Sequence, residues 1–245
     1  MREDRAVNGK KPGCFSNRFG FYTLFWIFFA GCFLGVVLEI VWHFLTHFSY
    51  ENRTGLVYGP FNLVYGVGAL GMTAALHPLE GKRTVWLFLA GCAAGSALEF
   101  GCSWVQEALF GTVSWDYRAE AFQLDGRIHL SLSLVWGALG VLWVKRLCPA
   151  LCACLARIPD RIARPLTWGL AAFLAVNILV SAAAASRMTE RLRGQPAENA
   201  VESWLDEQFP NETMEELFPN LLLVDGERRI PIRELPEAEV PGRLE

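Results

Sequence analysis

The chain has 245 residues, a formal net charge of −3 and 53% hydrophobic residues. Charges are dense at both ends and sparse between about residues 20 and 185, the profile of a polytopic membrane protein with polar tails. A soluble helical protein is excluded because the long apolar segments are apolar all round, not on one face, and nothing in the charge pattern suits nucleic acid.

Residues 1–19 read as a basic leader carrying Arg2, Arg5, Lys10, Lys11 and Arg18. Gly20–His47 is long and apolar enough for a first membrane span, which needs about 20 residues. Its stretch "AGCFLGVVLE" at 30–39 opens like a lipoprotein cleavage box, yet it recurs as "AGCAAGSALE" at 90–99. A processing signal has no reason to recur inside the chain, and the apolar run continues past Cys32 to His47.

The loop "ENRTGLVYGPFNLVYG" follows, with Arg53 its single cation and a Tyr58-Gly59-Pro60 turn leading into a short second span, Phe61–Leu76. Lys82 and Arg83 precede a third span, Thr84–Phe110. The next loop, "SWDYRAEAFQLDGRIHL", places Trp115 and Tyr117 in an interfacial aromatic belt. Asp116 suits a turn cap or a cation, and His129 suits packing. The fourth span is Ile128–Val144. Residues 145–165, basic and apolar with Pro149 and Pro159, read as an interfacial segment. The fifth span is Leu166–Met188.

Residues 189–245 form a polar tail with two short amphipathic helices. Val201, Trp204 and Leu205 make one face, and Met214, Leu217 and Phe218 the other, with Pro210 and Pro219 as their ends. The last twenty residues read as disordered.

The fold class is therefore all-α: a polytopic membrane helix bundle of about five transmembrane helices with an internal two-span parallel repeat. The copies cover about residues 20–76 and 84–144, because "LVYGVGALG" at 63–71 also returns as "LVWGALG" at 134–140. Positive charge before span one, between spans two and three and after span four puts the N-terminus in the cytoplasm of a bacterial cell membrane. Five spans then carry the tail outside, while Arg187, Arg191 and Arg193 favour the inside.

Each copy has the spacing Gly-x3-Gly-x3-Glu: Gly31, Gly35 and Glu39, then Gly91, Gly95 and Glu99. Positions four apart share a helix face, and small residues on it let membrane helices approach closely. An ionised acid at mid-membrane costs about 2.5–3.5 kcal/mol on insertion scales, so two at equivalent positions point to selection for either a helix-packing bond or a transport role. Arg53 and Arg127 are candidate counter-charges, and Tyr58, Tyr65 and Asp116 further candidates. No phosphate loop, nucleophile elbow, zinc motif or dinucleotide fingerprint is present; no catalytic activity, cofactor or metal is expected.

"NRTGLVYGPFNLVYGVGAL", the "LE" of spans one and three, "SWDYRAEAFQLDGRIHLSLSLVWGALG" and Pro149-Ala150-Leu151 closely resemble the bacterial family described as putative ABC-transporter type IV, or CmpB-like membrane proteins. The tail "GQPAENAVESWLDEQFPNETMEELFPN" resembles an extension common among its members. Departures are Thr54 in place of a glycine, Asn62-Leu63 in place of x-Pro-Ile, and His129 in place of a Cys. The resemblance implies an ABC-type permease-like subunit without its own ATPase, served by a separate ATPase subunit. A four-span core is small for a permease, so a homo-oligomer in the lipid bilayer is expected. The alternatives are a membrane scaffold or assembly factor and, ranked last for want of a nucleophile, an intramembrane lipid-acting enzyme.

Overall fold

The computed structural model describes residues 20–234; the basic leader and the end of the tail lie outside the described residues. Among the described residues, four helices are long and apolar enough to cross a membrane, and a fifth apolar helix is shorter.

α1 (Phe21–His47) and α3 (Thr84–Phe110) each have 27 residues, about 40 Å of helix against a hydrocarbon core of roughly 30 Å. Each ends in a left-handed residue, Phe48 or Gly111, whose N–H caps the last turn. α2 (Leu63–Leu76) has 14 residues and spans only about 21 Å. A single 3-10 turn, His77–Leu79, extends it.

The chain compensates for the short α2 by descending along α1 without regular structure. The Asn62 N–H donates to the Cys32 carbonyl at 3.1 Å, so α2 begins roughly 22 Å below the end of α1. Non-helical backbone at that depth needs partners inside the protein. α6 (Asp160–Leu192) supplies them. Asn177 accepts from the Tyr58 N–H at 3.2 Å and donates to the Tyr58 carbonyl at 2.6 Å, and Ser181 accepts from the Val57 N–H at 2.9 Å. These polar residues in an apolar helix are explained by the descending loop they hold. Leu56, Phe61, Cys32 and Leu174 pack around it.

In the second copy, a two-stranded ribbon of β2 (Gln123–Leu124) and β3 (Ile128–His129) leads directly into α4 (Leu130–Leu142). The fourth span does not stop at Val144. A π-helical turn, Trp143–Leu147, passes α4 into α5 (Cys148–Leu155), and the joined run Leu130–Leu155 is one candidate span. Pro149 lies in the first turn of α5, where its missing N–H costs least. Residues 145–165 are thus not a separate interfacial segment; they are divided between α5, a turn, and the start of α6, which is longer than the expected Leu166–Met188.

α6 runs alongside α1 in the same direction. Near its start Thr167 accepts from the Trp26 indole at 3.0 Å, and further along Leu174 packs with Cys32. The starts of α1, α3 and α6 therefore lie at one end of the bundle. The loops after α1 and α3, and the tail after α6, lie together at the other.

The tail is folded. α7 (Ala200–Gln208) and α8 (Asn211–Leu217) bury Leu205, Phe209 and Met214 against Val57, Ala184 and Met188. The expected face of α7 is only partly used, since Val201 and Trp204 stay exposed. β4 (Leu222–Asp225) and β5 (Arg228–Pro231) form a hairpin, and β4 pairs with β1 (Thr112–Val113), just beyond α3. The disorder expected for the last twenty residues does not hold for residues 226–234, because Ile232 enters the same core and β5 completes the hairpin.

The arginines at the end of α6 are anchored in this tail. Arg187 grips Asp206 through two nitrogens at 2.9 and 3.0 Å, and Arg191 reaches Asp206 at 2.5 Å and Asn211 at 2.9 Å. Burial opposes the charge on Asp206, but hydrogen bonds from Arg187 and Arg191 outweigh it and hold the carboxyl below its ordinary range.

Candidate functional site

In the first copy, Gly31 and Gly35 bring α2 against α1. A Cβ on Gly31 would stand 2.8 Å from the Tyr65 carbonyl oxygen, and one on Gly35 would overlap the Tyr65 ring. Tyr65 therefore lies along α1, and its hydroxyl donates to Glu39. Arg53, on the descending loop, comes within 3.4 Å of Glu39. Its guanidinium also meets His43 at 2.9 Å and Glu51 at 2.5 Å. His43 stacks on His47, one turn further along α1, with ring centres 4.4 Å apart.

The second copy repeats the arrangement with different chemistry. A Cβ on Gly91 would stand 3.2 Å from Gly137 Cα, and one on Gly95 would overlap the Trp136 side chain. Trp136 takes the place of Tyr65, and its indole N–H donates to Glu99 at 2.9 Å. The Tyr117 hydroxyl donates to the other oxygen of Glu99 at 3.1 Å. Glu99 is 5% exposed, whereas the Glu39 side chain is 31% exposed.

Arg127 does not serve Glu99 as Arg53 serves Glu39. It bonds Ser103 at 3.2 Å, Glu107 at 2.8 Å and Asp125 at 2.7 Å. The reason lies two turns further along α3. Glu107 offers Arg127 a carboxylate near the helix end, where the first copy has His47. Arg127 thus ties the second loop to α3, and its bonds hold the Asp125 carboxyl below its ordinary range.

Tyr117 is the second loop's donor to Glu99. Burial first, then the charge and hydrogen bond of Glu99, and then the charge of Glu39, raise its phenol well above the ordinary range. Tyr117 thus lies within the field of both acids. The helices of the two copies touch nearby: a Cβ on Gly68 of α2 would meet Trp136 at 3.8 Å, and one on Gly71 would overlap Leu98. One helical turn beyond Glu39, an open polar cavity of about 480 Å³ is lined by His43, Tyr50, Glu51, Asn52, Glu216 and Arg233.

The structure brings Glu39, Arg53 and Tyr65 together in the first copy and Glu99, Trp136 and Tyr117 together in the second, with Gly31, Gly35, Gly91 and Gly95 as the reason the helices of each copy can meet. Arg127 lies at the edge of this group. Asp116 and Tyr58 lie outside it. Asp116 accepts from the Arg118 N–H at 3.1 Å, closing a turn, and from Arg229 of β5 at 3.0 Å. Tyr58 is held by its backbone, and its ring turns to Phe209 of the tail. Trp115 and Tyr117 are not a belt: the Trp115 indole donates to the Arg127 carbonyl at 2.9 Å, and Tyr117 turns inward. The residues that sequence reasoning missed are Tyr117 and Trp136. The repeat carries the signal for Trp136, because "LVYG" and "LVWG" align it with Tyr65.

Four long apolar helices, a short apolar second helix and two parallel copies define a polytopic helical membrane protein built from an internal repeat. The family model described as "Putative ABC-transporter type IV" matches residues 26–182, and the chain belongs to that family. No curated protein and no solved structure matches the chain.

Proposed function

We propose that the protein is a permease-like subunit of a bacterial cytoplasmic membrane transporter, without an ATPase of its own, in which Glu39 and Glu99 are the ion-responsive groups. The observation that carries this reading is that two repeat-related carboxylates each accept from an aromatic donor at the equivalent place of the next helix, one deeply buried and one a helical turn from an open polar cavity. Intramembrane acids are costly unless they work or bond. A pair used only for packing would not need Arg53, His43 and Glu51 beside one of them. The descending loop before α2 also fits transporters, whose broken helices border the site.

The N-terminus is assigned to the cytoplasm, and the tail to the opposite side. The charge bias of Lys82, Arg83, Lys145, Arg146 and Arg157 supports this. Of Arg187, Arg191 and Arg193, which favoured an inside tail on sequence, the first two are engaged by Asp206. A separate ATPase would meet the loops at the cytoplasmic end, the assembly would be homo-oligomeric, and no catalytic step is assigned to this chain.

Affinity purification of the full chain from its native membrane, followed by mass spectrometry, tests the proposal. A co-purifying ATPase is expected. Recovery of only non-ATPase soluble partners through the tail would favour the scaffold reading, which the folded tail and its exposed Trp204 support.

A further inference from the structure

We propose that the C-terminal tail is a clasp, with Arg229 the residue that positions Tyr117 on Glu99. The functional consequence rests on the reading of Glu99 as a working group; the geometry does not. Arg229 belongs to β5, yet its side chain is only 2% exposed because it enters the second loop. It donates to Asp116 at 3.0 Å, to the Asp125 carbonyl at 3.0 Å and to the Gly126 carbonyl at 3.4 Å.

These acceptors surround Tyr117. Asp116 precedes it in sequence, and the Gly126 carbonyl accepts the Tyr117 N–H at 2.8 Å. Arg118, on its other side, donates to the Glu227 carbonyl in the turn between β4 and β5. Gly126 must be glycine for this convergence: its φ is +64°, and a Cβ there would stand 2.7 Å from both Arg118 and Arg229. The hairpin therefore holds Tyr117 on both sides, and the Tyr117 hydroxyl is one of two donors to Glu99.

β4 also pairs with β1 and donates from Val224 to the Gly111 carbonyl at 2.9 Å, so the hairpin is fixed to the end of α3 itself. α3 carries Glu99. The clasp thus sets the distance between Tyr117 and Glu99 from both sides. Undocking the hairpin frees Tyr117 to leave, and Glu99 then keeps only the Trp136 indole. An event on the tail would in this way be felt at a buried acid without touching it.

The test is nuclear magnetic resonance of the full chain in nanodiscs with the tyrosine phenol carbons labelled, the Tyr117 signal being assigned by Tyr117→Phe. In Arg229→Ala the Tyr117 signal is expected to move towards that of exposed tyrosines, while the Tyr65 signal stays. Arg229→Lys, whose single nitrogen replaces a fork that reaches its acceptors from two, should move it part of the way and serves where the alanine variant fails to fold. Glu99→Gln should move the same signal with the hairpin still protected from hydrogen exchange. An unchanged Tyr117 signal in the folded Arg229 variant, or in a chain ended before β4, would overturn the proposal. Loss of the solute effect described below in Glu39→Gln/Glu99→Gln is a separate readout, so the clasp and the transport reading can fail independently.

Discussion

Tyr65 and Trp136 occupy the same place in the two copies, and each donates its polar hydrogen to the glutamate of the preceding long helix. Each also fills the space left by the second glycine of its stripe. The repeat therefore preserves a unit of glycine, aromatic donor and acid, and varies only the donor.

That unit predicts a sharp contrast among glycines. Gly35→Ala and Gly95→Ala force a Cβ into the Tyr65 or Trp136 side chain, and should each destabilise by about 1–3 kcal/mol. Gly101→Ala, on α3 but with nothing within 4 Å of its new Cβ, should leave stability unchanged or slightly raised. Thermal unfolding of purified protein in one detergent compares the three.

Asn177→Ala should unpair both the N–H and the carbonyl of Tyr58 in the descending loop. Leaving buried polar groups without partners costs about 1–3 kcal/mol each. Hydrogen exchange should rise at residues 56–61 before the rest of the bundle is affected. Asn177→Asp retains an acceptor only, and should fall between the alanine variant and the native protein.

The tail should undock in acid. Asp206 has a folded-state pKa held below its reference value of 3.8, so its contribution is complete above that value and is lost as pH falls through the lower folded value. Limited proteolysis between pH 7 and 3 should show the tail becoming cleavable only at the acidic end. Asp206→Asn should expose it at neutral pH, because Arg187, its side chain 3% exposed, then loses the carboxylate it grips through two nitrogens and is left with that of Glu190.

Sidedness follows from the bundle ends. Phe122→Cys, at a position 82% exposed, should react with an impermeant thiol reagent added to whole cells. Lys82→Cys should react only after the membrane is opened. Reversal of the two would invert the assigned topology.

The spans, the repeat and the glycine-to-acid stripe were legible because they rest on local spacing and on a copied segment. Arg53 was legible as a counter-charge for Glu39 or Glu99, since its loop is short, but not which of the two it meets. Arg127 was not, because its choice between Glu99 and Glu107 depends on how far the second loop descends. Tyr117 was read as an interfacial aromatic because nothing in "SWDYR" tells which way its ring turns; that is decided by Asp116, Gly126 and Arg229, more than 100 residues away in the last case. The hairpin had a local signal, Asp225-Gly226 between apolar strands, but charged flanks concealed it. The long α6 concealed the purpose of Asn177, which is visible only once the descending loop is placed beside it.

The central claim is that Glu39 and Glu99 work as a pair. The most direct measurement compares the small-molecule content of cells carrying the native protein, the Glu39→Gln/Glu99→Gln variant at equal membrane level, or neither, by untargeted mass spectrometry. The account predicts that at least one solute differs between native and empty cells, and that the double variant matches the empty cells. A double variant that keeps the full native solute profile would contradict it and leave the two glutamates as helix-packing groups.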